Sequence, residues 1–240
     1  MATLIFFDEE HQYQLNGEQI PSVSEISRFA SREVYGTVEQ FTLDNASQRG
    51  TAVHKATEIL DKYQTVECTE DIENYVRAYV QFRKDFCISD YVAIEKALAN
   101  EELLYAGTID RIYRIDENFV KSAKSICCKK VVIGENGKVE NVKCEIDLSS
   151  KLGKLAVIDL KSSSVVQNVL ALIQLNGYKK LAEVNNFGEV GALFILHLGK
   201  DRKYELLYIE MNDNLFMACL ALHNALQKKK RKRRTNNGRE

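Results

Sequence analysis

The stretch AVIDLKSSS, residues 156–164, begins as a buried β-strand and then becomes charged. Three apolar residues open it, and Asp159 and Lys161 follow. Side chains alternate between the two faces of a strand, so these two lie on one face with their Cα atoms roughly 6.6 Å apart. A core strand can carry such a pair only at its solvated end, or where another group in the fold neutralises the two charges. The stretch therefore predicts a charged site at the end of a central strand.

A second carboxylate interrupts another predicted strand, YAGTIDRIYRI, at Asp110. If the two strands are neighbours, Asp110 lies beside Asp159. Two carboxylates held close repel one another unless a cation lies between them, which favours a divalent metal with oxygen ligands. The alternative is that Asp110 pairs with Arg111 or Arg114 at the edge of the sheet.

A similar stretch, CEIDLSS at residues 144–150, places Asp147 where AVIDLKS has Asp159. Ser149 stands there in place of the lysine. Phosphodiester chemistry needs a cation near the attacking water, and only Asp159 has one in register. We therefore expect Asp147 to be a hairpin residue outside the site.

The composition predicts an intracellular protein with one domain over residues 1–227. The chain has 240 residues, 45% of them hydrophobic, which suffices for one substantial core. No apolar run approaches the roughly 20 residues of a membrane span, and the start MATLIFFDEE becomes acidic too soon for a signal peptide. The six cysteines are scattered, which favours reduced packing residues over disulfides or a zinc site.

The C-terminal segment, residues 228–240, is strongly basic. It holds eight of the 33 basic residues and one of the 34 acidic ones, so 25 basic and 33 acidic residues remain elsewhere, a net charge of −8. Without apolar residues it is predicted to be a disordered arm that binds nucleic acid, or alternatively a solubility tail or an expression remnant. The candidate DNA-binding residues are Lys228, Lys229, Lys230, Arg231, Lys232, Arg233 and Arg234.

The order of predicted elements indicates an α/β fold with a central mixed β-sheet flanked by helices. A small N-terminal β-hairpin turns at Asn16-Gly17, and a capping box at Ser22 and Glu25 opens a helix through about Ala30. The later elements are helices over 45–63 and 69–86, mostly consecutive strands over 91–161, a helix over 165–184, two paired strands, and a helix from Asp213 to Lys228 capped by Asn212.

Two helices carry polar residues at i and i+4, which places them on one face. One has His54 and Glu58, and the other has Gln174 and Tyr178 around Gly177. A helical histidine is more often solvated or at a core edge than a ligand, and Tyr178 is equally compatible with core packing. A glycine inside a helix indicates close approach of another backbone or of a ligand.

In this order, GTAVH with Glu58, GTID, VIDLK and QLNGY strongly resemble the RecB-type branch of the PD-(D/E)xK nuclease superfamily. The match covers about residues 50–180. The segment IPSVSEI looks like that of phage-encoded members and of mitochondrial genome-maintenance exonucleases. The resemblance implies a restriction-endonuclease-like fold.

The resemblance also implies roles for individual residues. His54, Asp110 and Asp159 would bind metal with the Leu160 carbonyl, and Lys161 would be the catalytic lysine that orients water. Supporting acids would be Glu58 and Glu95. Gln174 and Tyr178 would shape the DNA-side wall.

The resemblance further implies Mg²⁺ or Mn²⁺ as cofactor, and an imidazole ligand makes Mn²⁺ a good alternative. Iron–sulfur members place one cysteine before the histidine and three after the tyrosine, a pattern that this sequence lacks, so no iron–sulfur cluster is expected. Single- or double-stranded DNA ends are the expected substrate in the cytoplasm of a bacterial or phage-infected cell. A recombination or replication protein is a candidate partner, and membrane association is not expected.

The leading prediction is a metal-dependent DNA exonuclease of recombination, repair or genome maintenance. An endonuclease or flap-trimming nuclease on the same fold is the alternative among enzymes. The alternative that is not an enzyme is a DNA-binding or partner-binding protein. The sequence argues against it because it retains the four charged residues of the site, His54, Asp110, Asp159 and Lys161.

Overall fold

The computed structural model describes residues 2–7, 10–28, 40–127 and 129–237. The strands described are β1 Leu4–Phe7, β2 Gln12–Leu15, β3 Glu18–Ile20, β4 Ala93–Asn100, β5 Tyr105–Arg114, β6 Lys129–Ile133, β7 Val139–Lys143, β8 Leu155–Lys161, β9 Val190–Leu198 and β10 Tyr204–Ile209. The helices described are α1 over 23–28, α2 Gln40–Tyr63, α3 Glu70–Asp85, α4 Glu117–Ile126, α5 Asn168–Val184 and α6 Asp213–Asn237.

The N-terminal strands β1, β2 and β3 form a small antiparallel sheet. Asn16 and Gly17 connect β2 and β3 with φ angles of 53° and 84°, the left-handed conformation that a tight hairpin turn requires. The predicted capping box is confirmed, since Ser22 and Glu25 each accept the other's backbone N–H through their side chains. The predicted helix end at Ala30 lies outside the described residues.

The central sheet has seven strands in the order β4-β5-β8-β9-β10-β6-β7. β5 is antiparallel to both β4 and β8, whereas β8 and β9 are parallel and joined by α5. Helices cover both faces, as predicted. The sheet is therefore mixed, and β5 and β8, which carry Asp110 and Asp159, are neighbours near its centre.

Two apolar layers hold the sheet between helices. On one face, α2, α3 and α4 pack through residues such as Val53, Phe82 and Phe119. On the other face, α1, α5 and α6 pack through residues such as Ile26 and Phe216. Each such fully buried side chain contributes about 1.5–3 kcal/mol relative to exposure. Within the described ranges, no helix combines the length and apolar character needed to cross a membrane.

Helix α4 departs from the prediction of mostly consecutive strands between residues 91 and 161. The Asp116 side chain caps it by accepting from the backbone N–H of Phe119, and Phe119 and Ala123 bury one face. The β6–β7 hairpin then adds to the far edge of the sheet, with β6 parallel to β10. Asp147 follows this hairpin in a loop and caps Ser149, so its prediction as a hairpin residue is wrong, although it does lie outside the site.

Helix α6 continues to Asn237, whereas the sequence predicted that it ends near Lys228 and is followed by a disordered arm. Lysine, arginine and glutamine favour helices, and no glycine or proline interrupts the segment before Gly238. The predicted cap is confirmed, because Asn212 Oδ1 accepts from Leu215 N at 3.1 Å. A close approach does occur at Gly177, but the group that makes it is the side-chain ring of Phe216 from α6 and not the expected backbone or ligand.

Candidate active site

Three carboxylates form one row across the sheet. Glu95 and Asp110 fall between two pairs of the β4–β5 register, and the β5–β8 pairing ends at Arg111 and Ile158, the residues next to Asp110 and Asp159. The regular register is interrupted at this row. Glu95 has a φ of 44°, an uncommon conformation for a residue other than glycine. Local strain of this kind is found preferentially at functional sites.

The alternation of β5 shifts by one residue at the same place. Ile109 and Ile112 both pack in the layer beneath α5, although three positions separate them. Arg111 lies between them and contacts α2 and α3 on the opposite face. An uninterrupted strand would place Ile109 and Ile112 on opposite faces. Asp110 therefore lies at an irregularity of the strand, which a strict two-residue period does not predict.

Helix α2 brings His54 to this row. Its Nδ1 atom lies 3.4 Å from Glu95 Oε1 and 3.6 Å from Asp110 Oδ1, and its Nε2 atom lies 3.1 Å from the Leu160 carbonyl oxygen. The Leu160 backbone N–H donates to Asp110 Oδ2 at 2.7 Å. Helix α2 and strands β4, β5 and β8 thus meet at one point. Gly50, one turn before His54, lies beside Ser162, since a Cβ atom there would be in ordinary contact with Ser162 Oγ at 3.9 Å.

Burial and the neighbouring charges shift the pKa values of His54, Asp110 and Asp159. Burial opposes the charged imidazole, yet Asp110 and Glu95 raise the pKa of His54 to about 9. Burial raises the pKa of Asp110, and His54 opposes that shift. Burial also raises the pKa of Asp159, which Lys161 opposes. Buried carboxylates therefore require positive charge here, which a proton on His54 or a cation supplies.

Asp159 and Lys161 are in contact, as their shared strand face predicted. Lys161 Nζ lies 2.7 Å from Asp159 Oδ2. Asp159 is only 3% exposed, whereas about a third of the lysine side chain is accessible. A buried carboxylate thus holds an ammonium group that still reaches solvent at the end of β8.

Within the described residues, His54, Glu95 and Asp110 form a group suited to a metal ion. Their ligand atoms all lie within 4.8 Å of one another. Both ions bind carboxylate oxygens. Mg²⁺ prefers oxygen ligands alone, whereas Mn²⁺ also binds an imidazole nitrogen readily. The family resemblance implied His54, Asp110, Asp159 and the Leu160 carbonyl as ligands. The structure places Glu95 in this group and Asp159 against Lys161.

Glu58 does not join the group, although the motif resemblance implied a supporting role. Lys55 and Lys62, from the same helix, bind its carboxylate at 3.0 and 2.5 Å. Partial burial opposes ionisation, but these lysines lower the pKa of Glu58. Glu95, the other predicted supporting acid, lies against His54 instead.

Tyr178 lies against the acidic row from the α5 side. Gly107 makes room for it, since a Cβ atom there would lie 2.8 Å from Tyr178 Cε1. Burial raises the pKa of Tyr178 well above its usual value, and Asp159 and Asp110 raise it further, so the hydroxyl stays protonated. Gln174 is half-buried one turn earlier on the same helix.

A buried arginine behind the site was not predicted. Arg111 is fully buried and donates to Asp61 Oδ2 at 2.6 Å and to Glu95 Oε1 at 2.9 Å. Thr57 and Tyr79 also accept from it. The alternative predicted an ion pair between the Asp110 carboxylate and Arg111. Arg111 instead donates to the backbone carbonyl of Asp110 and forms its ion pairs with Asp61 and Glu95. Arg111 therefore fixes the position of Glu95, which in turn contacts His54.

A cleft of about 800 Å³ is lined by the N-terminal sheet, the β4–β5 turn and α6. None of the residues in the acidic row lines it. The convergence of ionisable side chains, rather than cavity size, therefore marks the candidate site.

A group suited to a metal ion beside a strand-end lysine is an arrangement that fits phosphodiester hydrolysis. The sequence model of the PD-(D/E)XK nuclease superfamily matches residues 27–237. The chain belongs to this superfamily.

Comparison with solved structures gives a candidate exonuclease from Eubacterium rectale, with 14% identity and a TM-score of 0.32. That alignment covers 88% of this chain and 79% of the other. A search of curated proteins found no match.

Proposed function

We propose that this protein is a metal-dependent deoxyribonuclease that hydrolyses DNA phosphodiester bonds. The observation that carries the proposal is the convergence of His54, Glu95 and Asp110 beside the Asp159–Lys161 pair. Superfamily membership supports the same chemistry. A non-catalytic DNA-binding protein would not need to retain a buried acidic row, because buried carboxylates cost stability unless they are compensated.

His54, Asp110 and Glu95 would hold the cation. Asp159 and the Leu160 carbonyl would lie next to these ligands. A bound Mg²⁺ or Mn²⁺ supplies Lewis-acid polarisation of the scissile phosphate and makes an attacking water more acidic. Lys161 orients that water, and Asp159 keeps the lysine ammonium at the strand end. Tyr178 and Gln174 would form the wall on the α5 side, where the protonated Tyr178 hydroxyl adds no negative charge that would repel a phosphate.

Among nucleases, we propose an exonuclease of the RecB-type branch that acts in DNA recombination, repair or genome maintenance. The support is the order and spacing of the four motifs. An endonuclease or flap-trimming activity is the alternative. The deciding experiment compares end-labelled linear DNA with closed circular DNA in Mg²⁺ and in EDTA. Mononucleotide release from linear DNA with intact circles supports the exonuclease, nicked circles support the endonuclease, and no metal-dependent cleavage of either contradicts the proposed function.

Divalent metal should stabilise the protein through His54. At a free Mn²⁺ concentration 100-fold above the dissociation constant, the free energy of unfolding should rise by about 2.7 kcal/mol. His54→Ala should reduce this gain. Because the pKa of His54 is raised to about 9, binding displaces its proton, so affinity should increase by up to about tenfold per pH unit between pH 7 and 9.

Calorimetric titration with Mn²⁺ at several pH values, together with thermal melting, checks this prediction. His11→Ala is the matched control, because His11 lies in the turn after β1 and is exposed. Equal stabilisation of wild type and His54→Ala would show that His54 is an ordinary helix residue.

The basic segment 228–240 should contribute to DNA binding and not to chemistry. We propose that residues 1–227 form the nuclease domain and that the seven consecutive basic residues 228–234 bind phosphates. Each phosphate neutralised adds roughly 0.7–0.9 to the magnitude of the slope of log affinity against log salt. Deletion of 228–240 should therefore weaken binding at low salt and flatten this slope, with turnover at saturating DNA nearly intact.

The comparison uses a duplex and a single strand of equal length from 50 to 200 mM salt, without divalent metal so that the substrate survives. An unchanged slope after truncation would favour a solubility role for the segment. A collapse of turnover at saturating DNA would show that the segment helps to build the active site.

A further inference from the structure

A cationic cleft lies between α2, α3 and the β9–β10 turn. Its volume is about 560 Å³. Arg49 of α2 and Lys200 of the turn line it, with Asn74 and Tyr75 of α3 and a single acid, Asp71. The cations come from two elements far apart in the sequence, so the fold brings them together.

Arg49 is held in place yet keeps hydrogen-bonding capacity. Its guanidinium carbon lies 5.6 Å from the centroid of the Tyr75 ring, a cation–π contact that fixes the side chain. Its Nε atom is buried and has no hydrogen-bond partner in the described part of the chain. A buried donor without an acceptor is costly, and an anionic oxygen would satisfy it.

The nearby polar groups also favour an anion. Arg202 donates to Asn74 Oδ1 at 2.8 Å, which directs the Asn74 amide N–H groups elsewhere and adds a third cation beside the cleft. The adjacent acid Glu73 is bound by Arg77. Asp71 alone among the lining residues opposes the positive charge of Arg49 and Lys200.

The cleft lies near the end of the sheet at which β8 finishes with Lys161. β8 and β9 are parallel, Lys161 is paired with His197, and Lys200 follows His197 by three residues. Lys200 lies in the turn after β9, and three residues reach at most roughly 10 Å, about three times the axial rise of roughly 3.4 Å per charge of one strand in a DNA duplex. Gly50, next to Arg49, faces Ser162 at the end of β8. A strand with one phosphate at Lys161 could therefore place another near this cleft.

We propose that Arg49 and Lys200 bind a backbone phosphate of the nucleic-acid substrate, a few nucleotides from the bond that is cut. The inference rests on the proposed nuclease function. Positively charged side chains on a fixed arginine–aromatic platform position the strand without selecting its sequence, because phosphate contacts carry no base information. The cleft thereby sets the direction in which the nucleic-acid strand crosses the C-terminal end of β8.

The test measures binding in EDTA, so that DNA survives and hydrolysis plays no part. Arg49→Gln and Lys200→Gln are each titrated with a labelled single strand and a duplex from 50 to 200 mM salt. Each variant should lower the magnitude of the salt slope by about 0.7 on the single strand and about 0.9 on the duplex. Lys203→Gln is the matched control, because Lys203 lies in the same turn with its side chain 84% exposed and should leave the slope unchanged.

Arg49→Lys should restore most of the slope, which separates loss of charge from loss of packing on Tyr75. Lys200 is exposed, so its substitution tests the proposal without endangering the fold. Slopes equal to that of Lys203→Gln for both variants would overturn the proposal. If inorganic phosphate stabilises wild type but not Lys200→Gln while the DNA slopes stay equal, the cleft binds free phosphate and the nucleic-acid assignment is wrong.

Failure of this binding site and failure of the proposed function give different results. A protein that cleaves DNA but shows unchanged slopes in both variants would retain its nuclease assignment and lose this binding site. A protein that shows the slope differences but no metal-dependent cleavage would retain the site and lose the nuclease assignment.

Discussion

Replacement of Lys161 by alanine should reduce DNA cleavage by about 10²–10⁴-fold, the range expected when a group that assists proton transfer at the reacting centre is lost. Asp159→Asn should have an effect of similar size, because Asp159 holds the Lys161 ammonium at 2.7 Å. Both proteins should remain folded, since Lys161 lies at a strand end and loss of the buried Asp159 charge removes a desolvation cost. Single-turnover cleavage of labelled DNA measures the effect.

Lys154→Ala provides the matched control. Lys154 precedes the same strand at its opposite end and pairs with Glu189 as Lys161 pairs with Asp159. Its substitution should leave cleavage near the wild-type rate, and DNA binding should persist in all three variants. A Lys161→Ala protein that cuts DNA at the wild-type rate would show that the assigned chemistry is wrong.

Replacement of Arg111 by leucine should cost about 3–5 kcal/mol of unfolding free energy, because it leaves Asp61 buried with one cation fewer. In a chain of this size, such a loss should lower the melting temperature by about 6–20 °C. Arg83 still contacts Asp61 at 3.0 Å, which should keep the loss from rising further. Urea unfolding followed by circular dichroism gives the free energy directly.

Arg114→Leu is the control for this effect, because Arg114 lies on the same strand and is exposed. It should change stability by no more than about 0.5 kcal/mol. The double variant Asp61→Leu/Arg111→Leu should be less destabilised than the two single losses together, since both partners of the buried pair are removed. Additive losses in this cycle would mean that Arg111 and Asp61 do not act as a pair.

Local sequence signals predicted the central part of the site. The change from apolar to charged residues in 156–161 identified β8 and the contact between Asp159 and Lys161. The interrupted pattern around Asp110 identified the neighbouring strand, and the pairing of β5 with β8 bears this out. These features depend on a period of two along a strand, which a single sequence displays directly.

The choice between Glu58 and Glu95 could not be made in the same way. Glu58 shares a helix face with His54, but two lysines one turn away bind it. Glu95 reaches His54 because β4 aligns it with Asp110 and its backbone takes a left-handed conformation. Both conditions depend on tertiary pairing between strands. The burial of Arg111 was missed for a related reason, since the shift in alternation at Asp110 turns that side chain to the other face.

The connection between His54 and Leu160 spans 106 positions of the chain, and this separation has a consequence for biosynthesis. A nascent chain that ends before β8 already contains His54, Glu95 and Asp110, but it lacks the Leu160 amide that anchors Asp110. Contacts of such long range form late, because loop closure must precede them. We therefore expect catalytic competence to appear only after synthesis has passed β8, so that incomplete chains on the ribosome carry the acidic residues without a working nuclease centre.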